Sequence, residues 1–226
     1  MDGILAGLIA HEAIGHASEA DGVLRGTSVL RGQMHKRVGS EKVTLIDDAT
    51  IAGRFGMDYY DDEGVKAQRK VLIQNGILKG YLTNREAAEK LNIPITGNAR
   101  AEDYRFPPIV RMTNTYFKPG DIKFEEMIED IKDGIYAKGG RGGQVDPTEG
   151  IFQFGAQEAY LIKNGELGEH LRDFSMSGHI LQTLRNVSAV GRDFQIYPSF
   201  CGKGGQSMRT TCGGPHIKIE EIMVGG

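Results

Sequence analysis

Two histidines and a glutamate lie in one short apolar segment near the start of the chain, at His11, Glu12 and His16. Imidazole nitrogens bind zinc and related divalent ions, and a carboxylate beside such an ion can take a proton from a bound water. These residue types therefore indicate metal-assisted hydrolysis. Because short motifs recur by chance, an ordinary helix with two hydrogen-bonded histidines and a solvated glutamate is an alternative interpretation.

The spacing of the histidines places a demand on the helix that carries them. In the familiar zinc-protease helix the two histidines are four residues apart and share one face, whereas His11 and His16 are five residues apart. At about 100° per residue, this separation puts them roughly 140° apart on an ideal helix. A single widened turn, a π-bulge, would return both to one face, and Gly15 would tolerate the distortion. We therefore predict a local widening between the two histidines.

A catalytic zinc site usually has three protein ligands and one open position, so a further ligand is needed. Cys201 is the first candidate, because glycines follow it and Lys203 would favour its thiolate. Cys212, in a predicted turn, is the second candidate, and Glu19 is the third, although a residue placed like Glu19 often orients a histidine instead. Both cysteines could also be small buried thiols, which is the common situation for a free cysteine.

The segment from His11 to Asp21 resembles the metal-binding segment of the TldD/PmbA family of metalloproteases. Further segments that resemble TldD-type proteins follow in the same order over nearly the entire chain. They lie at residues 25–29, 61–64, 71–81, 111–116, 143–146, 201–203 and 205–207. TldD-type members keep the two histidines and the glutamate, whereas their PmbA-like partners lack them. The resemblance is therefore to the metal-bearing type.

This resemblance implies a zinc-dependent metallopeptidase that hydrolyses small or unfolded peptides. It implies one Zn²⁺ per chain, with Fe²⁺ or another divalent ion as an alternative. The ligands would be His11, His16 and Cys201, and Glu12 would be the catalytic base. The implied partners are a peptide or unfolded protein substrate and either a second copy or a PmbA-like paralogue in a dimer. An alternative function is a non-hydrolytic metal-binding subunit or scaffold of a protease complex.

Members of the family carry a sizeable domain upstream of the metal helix, whereas His11 here follows only ten residues. We therefore expect residues 1–226 to form a single C-terminal metalloprotease domain, with the upstream domain absent. Because that domain normally helps to enclose the active site and to build the dimer, its absence would affect substrate access and assembly. The hydrolytic chemistry needs only residues that are present.

Composition excludes several other functions. The net charge of the 226-residue chain is only −3, so no electrostatic affinity for nucleic acid is indicated. No apolar run reaches the ~18 residues of a membrane span, and the apolar segment 4–10 lacks the basic start of a signal peptide. The two cysteines are not spaced like those of a disulfide framework, and such cysteine usage is typical of proteins in a reducing compartment. A cytoplasmic protein is therefore expected.

The elements that must position these residues form a mixed pattern. Many hairpins, a few helices and 32 glycines predict an α+β fold with a large, mostly antiparallel, curved or barrel-like sheet and the metal site on the N-terminal helix. Gly139–Gly143 is expected to be a loop near the site. Helices are predicted at 2–20 (closed by Asp21–Gly22), 83–91, 121–133 and 178–187, and strands at 42–47, 69–82 (turning at Asn75–Gly76), 109–117, 151–155, 157–163, 194–197 and 216–224.

Overall fold

The computed structural model describes residues 1–225. The helices are α1 (Gly3–Leu8), α2 (Ala20–Arg25), α3 (Arg85–Leu91), α4 (Phe124–Ile128) and α5 (Ile180–Arg185), with a π-helical segment at Ile9–Gly15 and a 3₁₀ turn at His16–Ser18. The strands are β1 (Leu45–Asp48), β2 (Arg69–Gln74), β3 (Ile77–Leu78), β4 (Ala99–Arg100), β5 (Ile109–Val110), β6 (Asn114–Phe117), β7 (Asp133–Asp146), β8 (Ile151–Lys163), β9 (Glu166–Leu171), β10 (Ser175–His179), β11 (Val187–Val190), β12 (Gln195–Lys203), β13 (Gln206–Gly214), β14 (Ile217–Ile219) and β15 (Met223–Gly225). Within the described residues, no helix combines the length and the apolar character that crossing a membrane requires.

Most of the strands belong to two larger sheets. A six-stranded sheet has the order β12-β13-β6-β1-β2-β3, and a five-stranded sheet has the order β15-β10-β8-β7, with β9 also paired to β8. Two further pairs are β11–β14 and β4–β5. Only β6 and β13 run parallel among the strand pairs of residues 1–225. The predicted α+β, mostly antiparallel class is confirmed, but its strands are divided among four sheets, none of which closes into a barrel within the described residues.

The opening helix runs on through a change of helix type. Asp2 caps α1, because its side chain accepts a 2.9 Å hydrogen bond from the backbone N–H of Leu5. The chain then continues directly into the π-helical segment, so the predicted widening is present. The predicted end at Asp21–Gly22 is wrong, because the opening helix stops at Glu19, whose backbone is extended. Asp21 and Gly22 lie within the separate helix α2, which ends at Arg25 and is capped by Gly26 in the left-handed conformation, with a φ of 79°.

A close helix-to-strand contact sets the position of this opening segment. A Cβ at Gly7 would lie 2.5 Å from the Cα of Gly213 in β13, so the two backbones meet where neither residue has a side chain. Leu5 and Ile14 are fully buried, and burying such a side chain contributes about 1.5–3 kcal/mol. The Asp2 carboxylate also accepts a 3.1 Å hydrogen bond from Gly139 N–H in β7. The π-helical segment is thus held between the two larger sheets.

The glycine-rich stretch Gly139–Gly143 is part of a strand, which corrects the expected loop. It lies within β7 and pairs with β8, with a register shift between Gly140 and Gly143. A Cβ at Gly143 would lie 2.1 Å from the carbonyl oxygen of Gln153, so a residue without a side chain is needed for the close pairing. Glycine at position 143 is therefore explained by the close approach of β8 and by the bulge in β7.

Other predicted elements differ in length or continuity. The Asn75–Gly76 hairpin is confirmed, with φ of 48° and 76° at its two turn residues. The predicted strand 109–117 is interrupted between β5 and β6, because Arg111 N–H bonds to Asn98 and Thr113 N–H bonds to Asp47. The predicted strands 151–155 and 157–163 are one strand, β8, and the helices predicted at 121–133 and 178–187 shorten to α4 and α5.

A buried carboxylate holds the centre of the six-stranded sheet. Asp47 is 0% exposed and accepts hydrogen bonds from Thr113 N–H and Oγ1, Thr115 Oγ1 and Asn98 Nδ2, at 2.7–3.1 Å. Lys70 Nζ lies 3.0 Å from Asp47 Oδ2. Burial alone would raise the pKa of Asp47, but the charge of Lys70 and the hydrogen bonds from Thr113 outweigh it and lower that pKa to about 2.

We expect Asp47→Asn to lower the free energy of unfolding at pH 7 by about 3–5 kcal/mol, because Lys70 would remain buried without its counter-charge. The folded-state pKa of Asp47 is depressed, so its stabilisation is complete above the ordinary value of 3.8 and is lost as the pH falls towards about 2. The difference in the free energy of unfolding between the wild type and the variant should therefore become smaller in acid. Urea unfolding at several pH values measures this difference, and Asp121→Asn, at an exposed position, is the control. A deficit as large at pH 2 as at pH 7 would contradict the assignment.

Candidate metal centre

The structure brings together His11, His16 and Cys201. Each offers one ligand atom, and the three atoms lie within 4.8 Å of one another. Cys201 Sγ is 3.3 Å from His16 Nε2, although the two residues are 185 positions apart in the chain. The rings of His11 and His16 meet edge-on, with centroids 5.4 Å apart. The opening helix and strand β12 thus direct three donors of the kinds that bind metal ions towards one point.

The π-helical segment explains why histidines five residues apart share a face. The backbone N–H of His16 bonds to the carbonyl oxygen of His11, the i to i−5 bond of a widened turn. Gly15 has ordinary helical angles, so its backbone freedom is not what the turn uses. A Cβ at Gly15 would lie 2.0 Å from the sulfur of Met112. Glycine is required there because Met112 packs against the helix backbone.

Two buried nitrogens indicate that the site suits a cation. His11 is 1% exposed, and neither of its ring nitrogens has a hydrogen-bond partner within residues 1–225. A buried polar atom without a partner costs about 1–3 kcal/mol, so such atoms are uncommon. Two imidazoles and one thiolate are donors that zinc prefers. On these grounds the residues present fit a zinc-like divalent ion.

The charge state of the cysteine agrees with this fit. Burial alone would raise the pKa of Cys201, but interactions with His11 and His16 outweigh it and lower that pKa from 9.0 to about 5. For His16, burial acts to lower the pKa, whereas Glu19 and Cys201 raise it well above its usual value. Cys201 is therefore held as a thiolate, the form in which cysteine binds metals.

Glu19 is the hydrogen-bonding partner of the outer nitrogen of His16. The Glu19 side chain is buried, and its Oε2 lies 2.9 Å from His16 Nδ1. This contact leaves His16 Nε2 directed at Cys201. Glu19 is not one of the three converging donors. A carboxylate that holds the outer nitrogen of a metal-binding histidine is a common arrangement, and it fixes the tautomer and the ring orientation.

Lys203 has a different role from the one its sequence position indicates. Its ammonium group lies 3.1 Å from Glu19 Oε2 and 2.9 Å from Asp21 Oδ1, and it donates a 2.8 Å hydrogen bond to the carbonyl oxygen of Val110. Lys203 therefore positions the carboxylate that orients His16. The sequence carries no local signal for this role, because Glu19 and Lys203 lie near opposite ends of the chain.

Cys212 lies outside the converging group. It is as buried as Cys201, at 2% exposed, but it stands within β13 opposite Tyr197 and not in the predicted turn. Burial raises the pKa of Cys212 to about 12, so it is a neutral thiol. Its surroundings are those of a small buried side chain.

Glu12 is the accessible acid of the site. Its side chain is 35% exposed, and its Oε2 lies 3.7 Å from His16 Nε2. It lines an open cleft of about 530 Å³ together with His16, Arg25, Gln144 and Val145. A carboxylate in this position can exchange protons with water in the cleft while the histidines and Cys201 remain largely shielded.

Comparison with protein-family descriptions decides the family. Residues 1–226 match the PmbA/TldA metallopeptidase C-terminal domain. The chain belongs to the PmbA/TldD metallopeptidase family. The chain is also 52% identical over 222 residues to a metalloprotease of Methanothermobacter thermautotrophicus, covering 98% of this chain and 48% of that protein. It is 42% identical to the zinc metalloprotease TldD homolog of Saccharolobus solfataricus, covering 98% of this chain and 50% of the relative.

Solved structures of PmbA/TldD-like proteins share the fold. TldE from Thermococcus kodakarensis matches with a TM-score of 0.79 and 26% identity, covering 100% of this chain and 50% of that one. A Thermotoga maritima protein described as a modulator of DNA gyrase matches with a TM-score of 0.82 and 26% identity, covering 99% and 48%. The chain therefore spans about half the length of the relatives that it matches.

In this PmbA/TldD domain, an open strand edge runs beside the cleft. Within residues 1–225, β7 is an edge strand of its sheet and pairs with β8 alone. Asp2 covers part of the other edge, because its N–H bonds to Ala137 and its carboxylate bonds to Gly139. Gln144 and Val145, further along β7, line the cleft that contains Glu12. Unpaired main-chain groups of an edge strand are a ready template for another strand.

Proposed function

We propose that this chain is a zinc-dependent metallopeptidase that hydrolyses small or unfolded peptides, with His11, His16 and Cys201 as the metal ligands. The observation that carries the proposal is the convergence of these three donors within 4.8 Å beside the accessible carboxylate of Glu12. The metalloprotease names of the relatives support the same reaction class. Glu19 supports the ligand set by orienting His16.

The donor set favours zinc. When bound, the ion would act as a Lewis acid that polarises a peptide carbonyl and lowers the pKa of a coordinated water towards about 7. Because a thiolate donates more charge than a third imidazole, Fe²⁺ or another divalent ion is an alternative occupant. The unpaired nitrogens of His11 and the convergence of the three donors support binding of such an ion.

Glu12 would supply the proton transfers. Its carboxylate takes a proton from the attacking water and passes it to the leaving amine, the two steps that a general base and acid performs in peptide hydrolysis. Its exposure in the cleft and its distance of 3.7 Å from His16 Nε2 place it beside the donors without making it one of them. No other residue of the cleft combines an accessible carboxylate with contact to a ligand, within residues 1–225.

Hydrolysis of an unstructured peptide by zinc-loaded protein tests the proposal. We expect fragments by mass spectrometry, loss of cleavage after chelation and recovery on adding zinc back. A protein that binds zinc stoichiometrically through these residues but cleaves no peptide would instead support a non-hydrolytic metal-binding subunit or scaffold.

We further propose that the substrate lies along the free edge of β7 as an added strand. Gln144 and Val145 line the cleft beside Glu12, and Asp2 leaves this part of the edge uncovered. A strand added in this way is held mainly through its backbone, so the side chains of the peptide matter less. This binding mode suits extended peptides and excludes folded proteins.

N-methylation of single peptide bonds in the substrate tests the strand model. We expect methylation at alternate positions to abolish cleavage, because every second N–H of an added strand points to the neighbouring strand. Alanine substitution at the same positions is the matched control, and its effect should be small. Cleavage that followed side-chain identity and ignored N-methylation would contradict strand addition, as would equal cleavage of folded proteins.

We also propose that residues 1–226 act as one metalloprotease domain in a dimer with a second copy or a PmbA-like paralogue. The family match over residues 1–226 supports the domain, and the structural similarity to TldE supports a related partner.

A further inference from the structure

Arg111 is a buried cation without an acidic partner. Its side chain is 0% exposed, and within residues 1–225 no carboxylate oxygen lies within 4.0 Å of its guanidinium group. Its Nη1 donates a 3.3 Å hydrogen bond to the carbonyl oxygen of Gln206, and its Nη2 donates to the carbonyl oxygen of Cys201. Burying a charge without a counter-charge is costly, so the interactions of Arg111 must offset that cost.

The two carbonyls that Arg111 binds flank one turn. Cys201 is near the end of β12 and Gln206 begins β13, and the pairing of Lys203 with Gln206 closes the hairpin between them. The planar fork of a guanidinium can bind both strands at once, which an ammonium cannot do with the same geometry. Two further hydrogen bonds hold the same turn. Lys203 Nζ donates to the carbonyl oxygen of Val110, and Gln206 Nε2 donates to that of Pro107.

The position of this turn determines whether Cys201 Sγ can lie beside the ring nitrogens of His11 and His16. His11 and His16 are fixed by the opening helix, whereas Cys201 arrives on a hairpin from a distant part of the chain. A shift of the hairpin would move Sγ away from the histidines without disturbing either of them. Arg111 donates a hydrogen bond to the main-chain carbonyl of Cys201 itself, so it opposes such a shift directly.

We propose that Arg111 is a positioning residue, which holds the main chain of Cys201 so that the thiolate meets the metal with His11 and His16. This inference rests on the proposed metal centre. On this inference, the buried guanidinium contributes to the affinity and geometry of the metal centre as well as to the stability of the sheet.

Arg100 provides a matched control. It is also buried, at 2% exposed, and it also donates to two main-chain carbonyls, those of Met112 at 2.7 Å and Arg209 at 2.9 Å. Unlike Arg111, it pairs with a carboxylate, Asp58, at 3.0 Å. It makes no hydrogen bond to Cys201 among the described residues. Arg100→Lys therefore reports the general cost of losing a buried guanidinium.

The experiment compares metal binding by the wild-type chain, Arg111→Lys and Arg100→Lys. We expect Arg111→Lys to bind Zn²⁺ about 10–100-fold more weakly, the usual cost of removing a group that supports a ligand. With Co²⁺ as a spectroscopic probe, we expect its thiolate-to-metal absorption to shift or weaken. Arg100→Lys should retain the wild-type dissociation constant and spectrum even if its Tm falls.

The outcomes separate this inference from the proposed function. A wild-type chain that binds no metal would overturn both. If the wild type binds and Arg111→Lys binds equally well with an unchanged Co²⁺ spectrum, only the role of Arg111 is overturned, as it is if Arg100→Lys weakens binding to the same extent.

A second measurement needs no variant and covers the case in which Arg111→Lys does not fold. We expect the side-chain ¹⁵N resonances of Arg111 in the wild-type protein to move on Zn²⁺ loading, with those of Arg100 unmoved. Unchanged Arg111 resonances in the zinc-loaded protein would overturn the inference.

Discussion

Glu12→Gln is expected to lower kcat for peptide hydrolysis by about 10²–10⁴-fold, the range that a general acid–base residue contributes. Glutamine has nearly the same shape as glutamate but cannot accept the proton of the attacking water. Since Glu12 is 35% exposed and is not one of the three converging donors, the substitution should leave folding and zinc content unchanged. Peptide cleavage rates and zinc stoichiometry, measured on the same preparation, check this expectation.

The matched control for Glu12 is Glu86→Gln. Glu86 also lies on a helix, α3, and is exposed, so its substitution removes one carboxylate that neither lines the cleft nor belongs to the three donors. We expect wild-type cleavage from this variant. Hydrolysis that survived Glu12→Gln at the wild-type rate would show that another group is the base. Loss of zinc together with activity would mean that Glu12 is a ligand.

Cys201→Ala is expected to weaken zinc binding by more than about 100-fold, because it removes one of three ligands, whereas loss of a supporting group alone costs 10–100-fold. Hydrolysis should be lost with the metal. Competition against a chromophoric chelator measures the affinity. Cys212→Ala is the control, since both thiols are 2% exposed and stand on adjacent strands of one hairpin.

The comparison of the two cysteines separates ligation from packing. Removing either thiol leaves a small cavity of similar size, so the loss of packing should be similar in both variants. Only Cys201 lies with the two histidines, and only its pKa is lowered, to about 5, whereas that of Cys212 is raised to about 12. Undiminished zinc binding by Cys201→Ala, or an equal loss of zinc affinity in both variants, would show that the Cys201 thiolate is not a metal ligand.

Local features were predictable because their causes are local. Five-residue spacing of His11 and His16 requires a widened turn if both are to face one ion, and the π-helical segment supplies it. Asn75–Gly76 predicts its hairpin because both residues readily adopt positive φ. The proposal that Glu12 is the base likewise starts from its position between two histidines.

Predictions are wrong for residues whose long-range contacts override their local preferences. Glycines at 139–143 indicate a loop when taken alone, yet pairing with β8 makes them part of a strand, since a side chain at Gly143 would collide with Gln153. The sequence predicts that Gly15 serves through its flexibility, whereas in the structure the absence of a side chain at Gly15 makes room for Met112. Neither contact can be read from neighbouring residues.

The amino-acid sequence by itself determined the pair of histidines, the carboxylate between them and the kind of helix that could present them, because all of these depend on residues within one or two turns. Residue chemistry left Cys201, Cys212 and Glu19 open as the third donor, and the family resemblance implied Cys201. Only the tertiary structure groups Cys201 with the two histidines, within 4.8 Å, and places Glu19 against His16 and Lys203. The physical reason is distance along the chain. Cys201 and His16 are separated by 185 positions, so the register of β12 and the packing of its hairpin, and not any local preference, bring the two side chains to 3.3 Å.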